Sequence, residues 1–249
     1  MKDTKIEWAH HTFNPWIGCA HISPGCANCY AEAQMDHRYK RARWGRNTQR
    51  VRTSERYWKQ PAKWNAEAIV SGQKPRVFCA SLADIGDIHA PDQWRLDLLR
   101  LIHQTPRLRW LLLTKRPALW NSCMMPIDLA EETTGSIWYG VSTENQTCYD
   151  ARVHYLINAK REWKPAKLFL SMEPLLGPIQ LRAIEHIDWV IVGGESGPNA
   201  RPMRPEWVDA IRSQCAAARV PFFFKQWGGV NKHATGRLLN GRTYDEVPA

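Results

Sequence analysis

Several signals that commonly assign a function are missing from this chain of 249 residues. No apolar run is long enough to cross a bilayer, and the first residues do not lead into the apolar core of a signal peptide. There is no G-x-G-x-x-G fingerprint after a strand, no P-loop and no serine in a G-x-S-x-G elbow. We therefore expect a cytoplasmic protein with no membrane partner, and no Rossmann-type, P-loop or triad-hydrolase chemistry.

Cysteine is scarce outside one short stretch. The chain has seven cysteines, and no second C-x-x-C pair accompanies Cys26 and Cys29. These two and Cys19 lie within eleven residues, and Pro24 and Gly25 between them disfavour a helix or strand there. Thiolates are the soft ligands that zinc, copper(I) and iron–sulfur clusters prefer, and in a reducing compartment they suit metal binding better than disulfides. The stretch predicts a metal centre held by these three cysteines.

Three thiolates leave the identity of the metal open. A structural zinc site normally has four protein ligands, so zinc would need a fourth, and the nearby candidates are His10, His11 and His21. On a four-iron cluster, three cysteines would leave one iron without a protein thiolate and open to a small molecule. We expect the cluster with the open iron. Zinc is the alternative, and a set of reduced buried thiols is the third interpretation.

Acidic residues are outnumbered, and the formal net charge is +10. Between residues 38 and 56, seven arginines and one lysine stand against one glutamate, and Tyr39 and Trp44 lie among them. Basic side chains neutralise phosphates, and flat rings stack on unpaired bases. The stretch favours binding of DNA or RNA, with Arg43 and Arg46 among the contacts. The alternative is a solvated helical insertion whose arginines pair with acids elsewhere.

Short apolar runs alternate with segments of helical pattern along most of the chain. The runs, about seven in number, are Phe13–Ile17, Arg76–Ala80, Trp110–Leu113, Ile137–Val141, Leu168–Leu170, Trp189–Val192 and Val220–Phe224. The predicted helices are Tyr30–Arg43, Pro91–His103, Pro117–Asn121, Thr147–Lys160 and Pro205–Ala218. This alternation predicts βαβ units in an α/β fold, a partial or full parallel (β/α) barrel. We expect a single domain over residues 1–249, with a basic helical insertion at 44–74.

Polar or charged residues follow nearly every apolar run. In a parallel barrel these strand ends meet at one mouth, where barrel enzymes place their chemistry. We therefore expect a ligand cavity there, and the alternative is a ring of solvated loop residues. Gly193 and Gly194 would let a backbone approach a ligand while Glu195 accepts from an amine or a ribose hydroxyl. Lys115 and Arg116 would bind phosphate or carboxylate, or form salt bridges with the strand-end residues Glu144 or Glu173.

The motifs together resemble a known family. The opening Ile6–Trp8, the segment Thr12–Trp16 and the three-cysteine loop are similar to the phage-associated three-cysteine-motif family, long described as a domain of unknown function. The similarity extends over nearly the whole chain, through Leu113–Pro117, Gly140–Ser142, Ser171–Pro178, Gly193–Gly197 and Phe223–Gly228. It implies a relation to radical S-adenosylmethionine enzymes, whose TIM-like partial barrels hold a [4Fe-4S] cluster on three cysteines and S-adenosylmethionine on the remaining iron.

The resemblance implies an enzyme that cleaves S-adenosylmethionine to a 5′-deoxyadenosyl radical and modifies or repairs a nucleic acid or nucleotide-like substrate. A neighbouring lineage, the spore photoproduct lyases, repairs DNA. From the strand ends and the helix after the cysteine loop, we expect the cofactor residues to be Tyr30, Ser81, Asp84, Ser142, Glu173, Gly193, Gly194 and Glu195. From the strand ends and the basic stretch, we expect the substrate residues to be Lys115, Arg116, Asn145, Lys225, Arg43 and Arg46. The chain departs from the superfamily in its first cysteine gap, where six residues stand in place of the usual three.

Two further functions compete with this one. The chain could be a non-enzymatic nucleic-acid-binding protein stabilised by zinc or by a cluster, which predicts salt-dependent binding without cleavage of S-adenosylmethionine. It could also be a redox or scaffold subunit that works with a separate partner protein.

Overall fold

The strands of the chain are short and regularly spaced. Over residues 1–124 and 131–249, which the computed structural model describes, they are β1 (His11–Thr12), β2 (Trp16–Ile17), β3 (Val51–Arg52), β4 (Arg76–Cys79), β5 (Arg109–Thr114), β6 (Ile137–Ser142), β7 (Lys167–Met172), β8 (Trp189–Gly193) and β9 (Phe222–Gln226). Seven of them form one parallel sheet in the order β1-β4-β5-β6-β7-β8-β9. The sheet follows chain order and ends at β1 and β9 without closing. The predicted parallel (β/α) barrel is therefore confirmed, in its partial form.

Helices occupy the connections between these strands, and one short helix follows β9. They are α1 (Tyr30–Glu32), α2 (Glu55–Trp58), α3 (Gln60–Ser71), α4 (Asp92–His103), α5 (Pro117–Met124), α6 (Glu131–Thr134), α7 (Gln146–Glu162), α8 (Pro205–Ala218) and α9 (Lys232–Thr235). Two 3₁₀-helices, Pro24–Cys26 and Ile184–His186, and a π-helix, Ala33–Arg38, complete the set. Within the described residues, no helix has the length and apolar character that crossing a membrane requires.

Along the strands β4 to β9, side chains alternate between two apolar clusters, as the period of two requires. In β4, Val77 and Cys79 join the larger cluster together with residues of the long helices, whereas Phe78 joins a smaller one. The smaller cluster, here named the interior aromatic cluster, consists of Trp8, Ala9, Phe78, Leu111, Trp138, Phe169, Trp189, Ile191 and Phe223. Its members come from the strands and from the segment before β1, so it fills the concave side of the sheet near the amino ends of the strands.

The predicted first strand, Phe13–Ile17, is wrong. The sheet uses His11–Thr12 instead, and Trp16–Ile17 pairs antiparallel with Val51–Arg52 in a separate two-stranded ribbon. The chain leaves the sheet at Asn14, whose Oδ1 accepts hydrogen bonds from the backbone N–H groups of Ser81 and Leu82, each at 2.8 Å. That side chain replaces the next pair of strand hydrogen bonds.

The helix predicted from Tyr30 to Arg43 ends earlier. It is α-helical only over its first three residues, continues as the π-helix Ala33–Arg38, and stops where Lys40 takes a φ of 50°. The segment 44–74, predicted as an insertion, has two parts. The ribbon strand β3 and α2 precede α3, and α3 contributes Trp64 and Ala68 to the larger apolar cluster. The last part of the segment is therefore the crossover helix between β1 and β4.

Candidate metal centre

The cysteine loop, residues 18–29, is fastened across the carboxyl end of the barrel. The backbone N–H of Gly18 donates to the carbonyl of Leu82, just beyond β4, at 3.1 Å. Ser23 Oγ donates to Glu144 Oε1, just beyond β6, at 2.7 Å. Asn28 Nδ2 donates to Glu195 Oε2, just beyond β8, at 2.9 Å. Three separate strand ends therefore hold the loop at the mouth.

The thiols of the loop face the end of β5. All three are free and half-buried. Arg116 Nη1 lies 3.5 Å from Cys19 Sγ, and Lys115 Nζ lies 3.9 Å from Cys26 Sγ. Cys29 stands at the N-cap of α1, three residues after Cys26. Sequence-distant cations and the cysteine loop thus share one end of the barrel.

The spacing of the three sulfurs bears on the metal. Among the described residues, three or more Cys, His, Asp or Glu ligand atoms come within 4.8 Å of one another only at Glu32, Asp36 and His37. The sulfurs of Cys19, Cys26 and Cys29 are therefore more widely spaced. Three thiolates on one tetrahedral zinc, with Zn–S bonds of about 2.3 Å, would lie roughly 3.8 Å apart. The arrangement suits a larger centre better than a single ion.

The histidines considered as a fourth zinc ligand have other partners. His21 Nε2 lies 2.6 Å from Glu32 Oε2. His10 Nδ1 accepts from the backbone N–H of Arg76 at 2.9 Å, and the His11 ring stacks on Trp64 with centroids 4.6 Å apart. None of these three contacts directs a histidine toward a cysteine.

The pKa values of the three thiols are shifted in different directions by their surroundings. Burial, together with the charge of Asp84, raises the pKa of Cys19 to about 12. Burial also raises the pKa of Cys29. At Cys26 burial is outweighed by the charge of Lys115 and by hydrogen bonds from the backbone of Ile22 and from Ser23, so its pKa falls below the usual value. Cys26 is the most acidic thiol of the loop.

Glu144, expected at a strand end as a possible salt-bridge partner of Lys115 and Arg116, is the centre of a buried ion network. Lys115 Nζ lies 2.5 Å from its Oε1, and Arg152 Nη1 lies 2.7 Å from its Oε2. The side chain is 0% exposed. Burial opposes its charge, yet the two cations and the Ser23 hydrogen bond hold the pKa of Glu144 at about 2. The signal for this residue was its place directly after an apolar strand.

Asp84, predicted to bind the cofactor, is saturated by its own chain. Its carboxylate accepts from Thr114 Oγ1 at 2.5 Å, from the backbone N–H of Lys115 at 3.0 Å and from Arg116 Nη1 at 2.8 Å. Arg116 Nη2 in turn donates to the carbonyl of Ala20 at 2.7 Å. Asp84 therefore fixes Arg116 against the cysteine loop.

The Gly193-Gly194-Glu195 motif is also occupied from within. Glu195 is bound by Arg201 through Nε at 2.8 Å and Nη2 at 2.5 Å, in addition to Asn28. These bonds outweigh burial and lower the pKa of Glu195. A Cβ at Gly194 would overlap the backbone carbonyl of Trp227, so the close approach that this glycine permits is to its own chain. Arg201, the partner of Glu195, was missed by sequence reasoning.

A second ion pair lies on the concave side of the sheet. Phe169 and Ser171 lie on the same face of β7, and Glu173, just beyond the strand, continues that spacing of two. Ser171 and Glu173 therefore lie above the interior aromatic cluster. Lys225 Nζ lies 2.7 Å from Glu173 Oε1, and Ser171 Oγ donates to Glu173 Oε2 at 3.2 Å. Ser142 is the register partner of Ser171 on β6. The Lys225 and Glu173 side chains retain 19% and 15% exposure, so the barrel mouth reaches them.

The remaining predicted residues divide between scaffold and surface. Tyr30 OH donates to the carbonyl of Ser81 at 2.7 Å, which links α1 to the end of β4. Asn145 is the N-cap of α7, where its Oδ1 accepts from the backbone N–H of Cys148 at 2.9 Å. Arg43, by contrast, is fully outside, with its side chain 85% exposed and 3.9 Å from Asp36.

The arginine-rich stretch also divides in two. Arg50 is buried and pairs with Asp87 at 2.7 Å, so it belongs to the scaffold. The segment 38–46 presents exposed basic side chains instead, at Arg38, Lys40, Arg41, Arg43 and Arg46. Within it, the Tyr39 ring is 49% exposed and lies under the guanidinium groups of Arg38 and Arg41, at 5.3 and 5.8 Å. The backbone N–H of Gly45 donates to the carbonyl of Cys19 at 3.0 Å, so this surface adjoins the cysteine loop.

Comparison with known proteins gives one family and one group of structures. The model of a family described as "Protein of unknown function (DUF5131)" matches residues 3–248. No curated protein matches the sequence.

The similar solved structures are of spore photoproduct lyase. One mutant has 15% identity and a TM-score of 0.49 over 78% of this chain and 58% of that one. A second, with bound AdoMet and dinucleoside spore photoproduct, has 13% identity and a TM-score of 0.47 over 74% and 56%. The chain spans a little over half the length of these lyases.

Proposed function

The chain belongs to this DUF5131 family of unknown function, and we propose that it is an iron–sulfur enzyme of the radical S-adenosylmethionine type that acts on a nucleic acid or nucleotide-like substrate. One observation carries the proposal. Three free thiols, whose sulfurs are not all within 4.8 Å of one another, are held across the carboxyl end of a partial parallel barrel.

The donor set fits a four-iron cluster. Cys19, Cys26 and Cys29 would be its ligands, and three thiolates leave one iron for S-adenosylmethionine. When bound, the cluster would supply the electron that cleaves the sulfonium to an adenosyl radical. Lys115 and Arg116 offset the negative charge of the thiolates, which lowers the free-energy cost of concentrating anionic sulfur at this depth.

The polar groups inside the mouth are suited to hold the methionine part of that molecule. Lys225 offers an ammonium for a carboxylate, and Glu173, steadied by Ser171, offers a carboxylate for an amine. Both remain accessible. The interior aromatic cluster below them keeps water out of the amino end of the barrel. We assign the cofactor-orienting role to this pair, because its side chains keep 19% and 15% exposure, whereas the Glu195 side chain is 5% exposed and is held by Arg201 and Asn28.

The exposed basic segment 38–46 supports the proposed substrate class. Its side chains can neutralise phosphates, and the Tyr39 ring can stack on an unpaired base. The hydrogen bond from Gly45 to Cys19 places this segment beside the proposed cluster. A strand bound there would therefore have its neighbouring nucleotides close to the mouth.

The decisive experiment is anaerobic reconstitution followed by reduction with dithionite in the presence of S-adenosylmethionine. We expect about four irons per chain and formation of 5′-deoxyadenosine. Cys26→Ala should abolish both. Cys123→Ala, which removes another half-buried free thiol, on α5, is the matched control and should leave both intact. A colourless native protein that contains one zinc would contradict the proposal.

The exposed basic side chains also favour a second candidate function, nucleic-acid binding without catalysis. To test the surface itself, we replace Arg38, Arg41, Arg43 and Arg46 together by glutamine. The dependence of log K on log salt should become shallower by about 0.7–0.9 for each phosphate that the variant no longer neutralises. Arg100→Gln, an exposed arginine on α4, is the control and should leave the slope unchanged. Salt-dependent binding without any 5′-deoxyadenosine would favour this second function.

A further inference from the structure

Two consecutive residues after β5 reach two different cysteines. Lys115 Nζ lies 3.9 Å from Cys26 Sγ, and Arg116 Nη1 lies 3.5 Å from Cys19 Sγ. The cysteines are seven residues apart, so the loop places one thiol against each cation. Sequence reasoning assigned these cations to substrate anions, but each of them lies beside a cysteine sulfur of the loop.

Both cations are fixed in place by carboxylates of the scaffold. Asp84 holds Arg116 at 2.8 Å, and Glu144 holds Lys115 at 2.5 Å. The Arg116 side chain is only 8% exposed, and that of Lys115 20%. Because both side chains are held by these carboxylates, neither can reorient to contact a substrate. They are preorganised toward the sulfurs before any ligand arrives.

The local charge count favours an anion among the sulfurs. Lys115, Arg116, Arg152 and Arg50 supply four positive charges, whereas Asp84, Glu144 and Asp87 supply three negative charges. The remaining positive charge lies in a half-buried region, where Coulomb interactions are stronger than in water. Net charge and hydrogen bonds to the sulfurs are the main protein controls on the reduction potential of an iron–sulfur cluster.

We propose, resting on the proposed function, that Lys115 and Arg116 are positioning residues that brace the cluster ligands Cys26 and Cys19 and make the cluster easier to reduce. Reduction adds one electron from an external donor to the cluster, and a fixed cation beside each of two sulfur ligands stabilises the more negative state. The two residues act on the metal centre and do not bind the nucleic acid.

The test is a redox titration of the reconstituted protein, followed by electron paramagnetic resonance, without S-adenosylmethionine or substrate. For Lys115→Met and for Arg116→Gln, we expect the equilibrium constant for one-electron reduction to fall about tenfold, which is about 59 mV. Arg116→Lys, which keeps the charge, should recover part of the shift. Lys167→Met removes a cation paired with Asp188 at the amino end of β7 and should leave the potential unchanged.

The buried partner needs its own control. Lys115→Met removes one of the two cations paired with Glu144 and leaves Arg152 and the Ser23 hydroxyl, so iron content and thermal unfolding are measured for each variant. If Lys115→Met does not fold, Lys115→Met with Glu144→Gln removes this carboxylate as well and is titrated in its place. Because this double variant loses one charge of each sign, its expected shift is smaller but still toward harder reduction.

The outcomes separate this inference from the proposed function. Loaded variants with the wild-type potential and a weakened affinity for nucleic acid would overturn the inference and make Lys115 and Arg116 substrate residues. The radical-enzyme proposal would survive that result. A wild-type protein that takes up no cluster would overturn both.

Discussion

The two ends of the barrel interior are stabilised by different forces. At the amino end, the rings of Trp189 and its neighbours pack edge to face, with the centroids of Trp138 and Phe223 at 6.0 and 6.1 Å from it. At the carboxyl end, just beyond β6 and β7, Glu144 and Glu173 are held by cations at 2.5 and 2.7 Å. We call the first the plug, which is the interior aromatic cluster, and the second the cup, which consists of Glu144, Glu173 and the cations paired with them.

This difference shows how one strand pattern serves both stability and chemistry. The same period of two that places Phe169 in the plug places Glu173 in the cup. Burial of aromatic area depends little on pH or salt, whereas the ion pairs depend on both. The plug can therefore keep the barrel folded while the cup is tuned for a ligand.

The largest expected effect is on the plug. Trp189→Ala should lower the free energy of unfolding by about 3–5 kcal/mol, because the indole is fully buried among four other rings. Denaturant unfolding at pH 7 and at pH 5 should give the same loss. Val70→Ala, at an 89% exposed position on α3, should change stability by less than about 0.5 kcal/mol. A loss at position 189 that grows with acidity would contradict the pH-independent plug.

The next effect concerns the cup and depends on pH. The pKa of Glu144 is about 2 in the folded protein, whereas its ordinary value is 4.5. At pH values above about 4.5, its ion pairs therefore stabilise the folded protein by about 3 kcal/mol. This stability is lost as the pH falls from about 4.5 toward 2. Glu144→Gln should therefore be less stable than wild type at pH 7, and the gap should narrow in acid. Glu185→Gln, at an exposed acid, should show no such trend, and a gap constant with pH would be evidence against the buried network.

The smallest expected effect tests whether Asn145, just after β6, stabilises the fold or binds the substrate. Asn145→Ala removes the N-cap acceptor of α7 and should cost about 1 kcal/mol in unfolding free energy. Asn145→Ser keeps a capping oxygen and should recover most of it. Nucleic-acid affinity should be the same in both variants. A fall in affinity with unchanged stability would return Asn145 to the substrate site.

The fold was predictable from the sequence wherever a strand forms a continuous apolar run. Continuous apolar runs such as Trp189–Val192 need burial on both faces, and this pattern predicted the parallel sheet. The strand His11–Thr12 could not be found in that way, because it is polar and only two residues long. Its end is set by the Asn14 side chain, which bonds residues that lie 67 positions away.

The site was predictable in its members more than in their roles. The strand-end rule brought Lys115, Arg116, Glu173 and Lys225 to one mouth, because parallel strands share an edge. Which partner each would choose depends on contacts between distant segments, such as Lys115 with Cys26, and no local pattern encodes them. The cofactor and substrate roles of these residues stay predictions until the experiments above are done.

The anchoring of the cysteine loop has a consequence for biosynthesis. The ribosome makes the three thiols early, but their fastening points at Glu144 and Glu195 are made more than a hundred residues later. The loop thus has no complete seat until the fourth and sixth strands of the sheet are in place. Loading of the proposed cluster is therefore expected to follow release of most of the chain, and a nascent chain halted before Glu195 would be a poor recipient for iron and sulfide.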